Sequence, residues 1–116
     1  MKITKGTLAL IVFLVFTSAT MVSAHPPKSV SLQWSAGGNL TVAVAHAVND
    51  PAKHYVYKVV IYINDMIAGH KEYKSQQTPE GFSDTFLLGA KPSGTKIKAE
   101  AFCLIMGSAE GSLVVP

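Results

Sequence analysis

The sequence predicts an all-β protein, a seven-stranded antiparallel immunoglobulin-like β-sandwich, and three observations predict it. From residue 29 onward, apolar side chains recur with a period close to two, the repeat of a strand that buries one face. The runs are short, and Gly, Pro, Asn and Asp stand between them, residues that turn a chain by distinct mechanisms. Helical apolar spacing at i, i+3, i+4 is missing.

Ahead of the strands, residues 1–24 are predicted to be a secretory signal peptide. Lys2 and Lys5 form a positive start, residues 7–17 are almost wholly apolar, and Val22-Ser23-Ala24 is a small-residue cleavage site. The apolar run is short of the roughly 20 residues that a spanning helix needs. The protein is therefore expected to be exported to a periplasmic or extracellular space, with no membrane attachment after cleavage. One domain, residues 25–116, would then begin at His25, followed by Pro26 and Pro27.

The expected strands are residues 29–34, 40–48, 54–63, 66–73, 82–88, 96–102 and 112–115. Gly37-Gly38-Asn39 closes the first pair. Asn64-Asp65 suits a two-residue hairpin turn with positive φ, and Pro92-Ser93-Gly94 introduces the sixth strand. Asn39-Leu40-Thr41 fits a glycosylation sequon, which matters only in a eukaryotic secretory route.

Charge and cysteine content narrow the function. The formal charge is +3, but Lys2 and Lys5 belong to the leader, so the domain is nearly balanced and carries no basic patch for nucleic acid. Cys103 is the single cysteine, which excludes an intramolecular disulfide. Its thiol is an inert core group, a link to another chain, or a thiolate held by a metal.

Strand parity says where these side chains point. In the sixth strand Ile97, Ala99 and Ala101 share the apolar face, and Cys103 continues that inward set. His46 follows Leu40, Val42 and Val44 in parity, although Thr41, Ala43, Ala45 and Ala47 make the other face nearly as apolar. His54 opens its strand just after Asp50-Pro51, at an end of the sandwich, where such folds carry sites. Read singly, His46 is a hydrogen-bonded core histidine and His54 a strand-start residue. His70, in Gly69-His70-Lys71-Glu72, reads as a solvated strand histidine.

Taken together, the order of these residues resembles a family. The string from His46 through Asn49-Asp50-Pro51 to His54-Tyr55-Val56, with an alternating strand after it, is similar to the histidine, proline-containing loop and His-Tyr-Ile segment of superoxide reductases, the neelaredoxin or desulfoferrodoxin iron domain. Cys103-Leu104-Ile105-Met106-Gly107 resembles that family's Cys-x-x-His-Gly motif. The resemblance implies a seven-stranded immunoglobulin-like sandwich over residues 25–116. It also implies a mononuclear non-haem iron with four equatorial imidazoles and an axial thiolate. The implied activity is one-electron reduction of superoxide to peroxide, fed by an external electron donor. Residue by residue, His46 and His54 match two equatorial ligands and Cys103 the axial thiolate, while His25 matches the family's early histidine before a proline motif.

The chain departs from the family at defined points. Met106 stands where the motif has histidine, the loop between His46 and His54 is longer, and the Glu-Lys pair before the early histidine is missing. Met106 or His70 completes an altered site, or the site is three histidines and a cysteine, or the scaffold has lost its metal. An alternative from another class is an exported copper protein in which an N-terminal His25 chelates Cu(II) through its amine and ring, with a second histidine completing the brace and Cys103 and Met106 favouring Cu(I). A third is a metal-free interaction module.

Overall fold

Strand β1 (Ser29–Trp34) pairs antiparallel with β2 (Asn39–Ala45), with Ser29 opposite Ala45 and Trp34 opposite Leu40. The computed structural model describes residues 25–116, so the signal-peptide reading lies outside the described residues. On its other side β2 pairs with β5 (Gly81–Leu87), completing a three-stranded sheet. The facing sheet has the order β4 (Met66–Glu72), β3 (Val56–Ile63), β6 (Lys96–Cys103) and β7 (Ser108–Val114). All neighbours are antiparallel. In immunoglobulin terms the fourth strand has left the fifth and joined the third, a known variation of the sandwich plan.

The expected turns form as their residues dictate. Asn64 and Asp65 have φ of 49° and 68°, the left-handed pair that a two-residue hairpin needs between β3 and β4. Gly38 (φ 88°) turns β1 into β2, and Gly94 (φ 90°) leads into β6.

The core is the interleaving of inward rows from the two sheets. Leu40, Val42 and Val44 of β2 and Phe86 of β5 meet Val56, Val59 and Ile61 of β3 and Ile97, Ala99 and Ala101 of β6. A bulge between Val56 and Lys58 interrupts the β3–β6 register. Without it, the parity of Val59 and Ile61 would turn Tyr57 inward; with it, Val56 is buried opposite Cys103. Lys71 and Tyr73, at the β4 edge, reach across to β5. The Lys71 ammonium donates to the Thr85 carbonyl (2.7 Å) and the Tyr73 hydroxyl to the Asp84 carboxylate (2.7 Å). Burial, together with that carboxylate, pushes the Tyr73 hydroxyl above its ordinary range.

Three strand limits differ from the sequence expectation. The second strand stops at Ala45 rather than 48, because the His46 and Val48 amides donate to Glu80 and Pro79 instead of to β1. The third begins at Val56 rather than 54, after a turn built on Asp50. The last begins at Ser108 rather than 112; its Ser108-Ala109-Glu110-Gly111 start lacks apolar alternation because β7 passes close to β1. A Cβ on Gly111 would lie 2.1 Å from the Val30 carbonyl oxygen, so only glycine fits there.

Ile61 lies fully buried at the centre of the core. Ile61→Ala is expected to destabilise the protein by about 2–5 kcal/mol and Ile61→Val by about 0.5–1.5 kcal/mol in urea unfolding. Equal costs for the two would contradict this packing.

Candidate metal centre

Two inward rows run out at the same end of the sandwich. The row Leu40, Val42, Val44 continues one position past β2 to His46, which is fully buried. The row Ile97, Ala99, Ala101 ends β6 at Cys103, which is 5% exposed. Because β2 and β6 lie in facing sheets, the same parity points both side chains into the space between them.

His54 arrives by a local turn. The Asp50 carbonyl accepts from the amides of Lys53 (3.0 Å) and His54 (2.9 Å), and the Asp50 side chain accepts from the Ala52 amide (3.0 Å). Pro51 supplies the fixed φ that such a turn uses at its second position. The Leu104 amide then donates to the Tyr55 carbonyl (2.9 Å), tying the segment after His54 to the one after Cys103.

His25 is brought in by its neighbour. Cys103 and Gly107 close the β6–β7 turn through an amide-to-carbonyl bond of 2.9 Å, and Gly107 adopts φ 71°. Pro26 packs on that glycine so closely that an added Cβ would lie 2.9 Å from the Pro26 Cβ. The glycine of the Cys-x-x-x-Gly segment thus has two physical reasons, a left-handed backbone and a bare face for Pro26.

The result is a compact donor cluster. Ring centroids lie 4.8 Å apart for His46 and His54, and 5.3 Å for His25 with each of them. His54 Nε2 stands 3.2 Å from Cys103 Sγ, and one ligating atom from each of His46, His54 and Cys103 lies within 4.8 Å of the others. Two ligands at right angles on one transition metal, an imidazole nitrogen at about 2.1 Å and a thiolate at about 2.3 Å, are about 3.1 Å apart, and donors across the ion stand about 4.6 Å apart. The cluster therefore fits a single ion with little side-chain movement. Burial, followed by the neighbouring His46 and His54-facing His25 rings, holds the His54 imidazole below its ordinary pKa, which favours the neutral form that binds metals. The Ile105 amide donates to Cys103 Sγ (3.4 Å), a contact that suits a thiolate.

Neither a protein-family model nor a curated protein matches the sequence. Solved structures do match the shape. The chain is similar to the superoxide reductase (neelaredoxin) from Ignicoccus hospitalis, with TM-score 0.60 and 15% identity over 84% of this chain and 86% of that one. A second structure of that protein gives 0.56 and 19% over 78% and 79%. The superoxide reductase (neelaredoxin) from Archaeoglobus fulgidus in the reduced form gives 0.52 and 16% over 80% and 90%. The fold is that of the superoxide reductases.

Within that superoxide-reductase fold, four of the residues singled out from sequence, His25, His46, His54 and Cys103, converge. Met106 lies three residues beyond Cys103 in the β6–β7 turn, but its side chain is 54% exposed. His70 does not join the cluster, which corrects the reading that it could complete the site. It pairs with Val60 in the middle of β4, and Val60 pairs with Glu100, so His70 belongs to the outer face, where it meets Glu72 at 3.4 Å. Sequence reasoning missed Gln76, which is buried against His46 with its Oε1 2.8 Å from Nδ1. Nothing in the polar stretch Lys74-Ser75-Gln76-Gln77 distinguishes it.

Gly107→Ala is expected to cost about 1–2 kcal/mol for the left-handed backbone alone. It should also lift Pro26 and withdraw His25, so ring-to-ring nuclear Overhauser contacts between His25 and His54 should disappear. Unchanged stability with those contacts intact would contradict the docking of Pro26 on Gly107.

Proposed function

We propose that the chain is an exported non-haem iron protein of the superoxide-reductase kind, with a ligand set of three imidazoles and one thiolate. The observation that carries the reading is the convergence of His46, His54 and Cys103 at one end of a superoxide-reductase fold. A ferrous ion bound there supplies the single electron that converts superoxide to peroxide, and a thiolate ligand favours that transfer. His25, His46 and His54 would hold the ion through neutral ring nitrogens, and Cys103 through its sulfur.

The remaining residues shape access and electronics. A cleft of about 270 Å³ lined by His25, Ala47, Val48, Asn49, Asp50 and His54 opens beside the cluster, with room for a diatomic substrate and water. Val56, opposite Cys103, and the buried row behind it keep water from the sulfur side. The fourth imidazole of the family has no equivalent: Met106, which takes its place in the motif, faces solvent. The expected consequence is weaker iron binding and at most slow superoxide reduction.

The copper brace is the less supported reading. It needs the Nδ1 atom of His25 as a metal donor, and that atom lies 3.1 Å from the Pro26 carbonyl oxygen. A ring nitrogen facing a carbonyl carries the hydrogen, which leaves Nε2 as the free donor and suits ligation from the ring alone.

Anaerobic titration with Fe(II), followed by oxidation and absorption spectroscopy, tests the proposal. The parent should bind about one iron and show a thiolate-to-ferric band that Cys103→Ser abolishes while the fold persists. Met106→His, which restores the family motif, should tighten Fe(II) binding and raise the rate of superoxide reduction. No Fe(II) binding by either the parent or Met106→His contradicts the proposal. Preferential Cu(II) binding that depends on a free His25 amine supports the brace instead.

A further inference from the structure

We propose that Gln76 is a positioning residue that locks His46 in one tautomer, with the hydrogen on Nδ1 and a bare lone pair on Nε2 aimed into the cluster. This rests on the reading of His46 as a metal ligand and adds to it the group that prepares the ligand.

The hydrogen-bond pattern leaves the Gln76 amide a single orientation. Its nitrogen lies 2.8 Å from the His46 carbonyl oxygen and 2.9 Å from the Thr78 carbonyl oxygen, two acceptors that only an NH2 group satisfies. Its oxygen accepts from the Val56 amide (3.4 Å) and faces His46 Nδ1 at 2.8 Å. Turned over, the amide would set oxygen against two carbonyls and NH2 against an N–H. His46 Nδ1 must therefore be the donor.

A neutral imidazole has one N–H, so Nε2 of His46 is unprotonated. Its polar neighbour is the His25 carbonyl oxygen at 3.4 Å, which is itself an acceptor. No hydrogen lies between two acceptors, and the contact is long for a bond in any case. The ring is fully buried, so its lone pair has neither water nor a protein donor. A buried polar atom in that condition is destabilising and is retained where a cation completes it. The same lone pair sits in the cluster with His54 and Cys103.

Gln76 is itself held in place by the segment that delivers the second histidine. Its backbone amide donates to the Pro51 carbonyl (3.0 Å), within the Asp50 turn that ends at His54. One residue thus couples the tautomer of His46 to the loop carrying His54. A neutral amide in this position orients the ring without pulling the Nδ1 hydrogen away as a carboxylate would, so the imidazole stays a neutral ligand.

Long-range 15N–1H correlation spectra of the metal-free protein test the tautomer, and Fe(II) titration of Gln76→Met and Gln76→Glu tests its consequence. The parent His46 should show a protonated Nδ1 and an unprotonated Nε2. Gln76→Met, similar in size but unable to accept, should lose that preference and bind Fe(II) about 10–100-fold more weakly. Gln76→Glu keeps an acceptor for Nδ1–H while losing the two donors, so it should recover most of the affinity even though its melting temperature falls with that of Gln76→Met. A merely structural role predicts that affinity follows melting temperature in both variants. A parent His46 protonated on Nε2, or equal Fe(II) affinity in Gln76→Met and the parent, overturns the proposal. If the parent binds no metal, the ligand reading fails, while the tautomer spectra still judge Gln76. Should Gln76→Met not fold, the parent spectra and Gln76→Glu decide.

Discussion

The site depends on the parity of two strands. Side chains alternate strictly along β2 and β6, and each inward row that fills the core is carried one step further, to His46 after Val44 and to Cys103 after Ala101. The apolar packing that stabilises the sandwich is therefore also what aims an imidazole and a thiol at each other. A one-residue register slip in either strand would turn its ligand to solvent and every core residue with it. The register is set by burying Leu40, Val42, Ile97 and Ala99, so the site inherits the rigidity of the core rather than that of a loop.

The other two histidines come from segments without strand geometry, and each is fixed by a specific contact. His54 is set by the Asp50 turn and by the Tyr55–Leu104 backbone bond, His25 by Pro26 resting on Gly107. These attachments are fewer than those of His46 and Cys103. They leave the cleft on the side of His25 and His54 as the open side of the cluster, and the Cys103 side as its closed, apolar back. An electron-rich sulfur behind and access in front is the polarity that one-electron reduction of a small oxygen species needs.

Much of this was legible in the sequence because it follows from alternation and turn chemistry. Ile97, Ala99, Ala101 and Cys103 could be placed on one face, and Asn64-Asp65 could be placed in its turn, from local residues alone. His46 was harder. Both faces of its strand are apolar, and the structure resolves the choice by size, burying Leu40 and Val42 and leaving the alanines to the outer face. The Val56–Lys58 bulge, the close passage of Gly111 by Val30 and the seating of Pro26 on Gly107 depend on partners distant in sequence, and no local pattern reports them. Gln76 was invisible for the same reason: its importance lies in four hydrogen-bond partners spread over residues 46, 56 and 78.

The central claim is that Cys103 and the histidines bind one ion together. X-ray absorption at the iron edge of the Fe(II)-loaded protein reads this most directly, since sulfur and imidazole nitrogen scatter distinguishably. The account predicts one sulfur in the first shell together with the outer-shell pattern of imidazole rings, and loss of the sulfur in Cys103→Ser. A first shell of oxygen and nitrogen alone in the parent would contradict it.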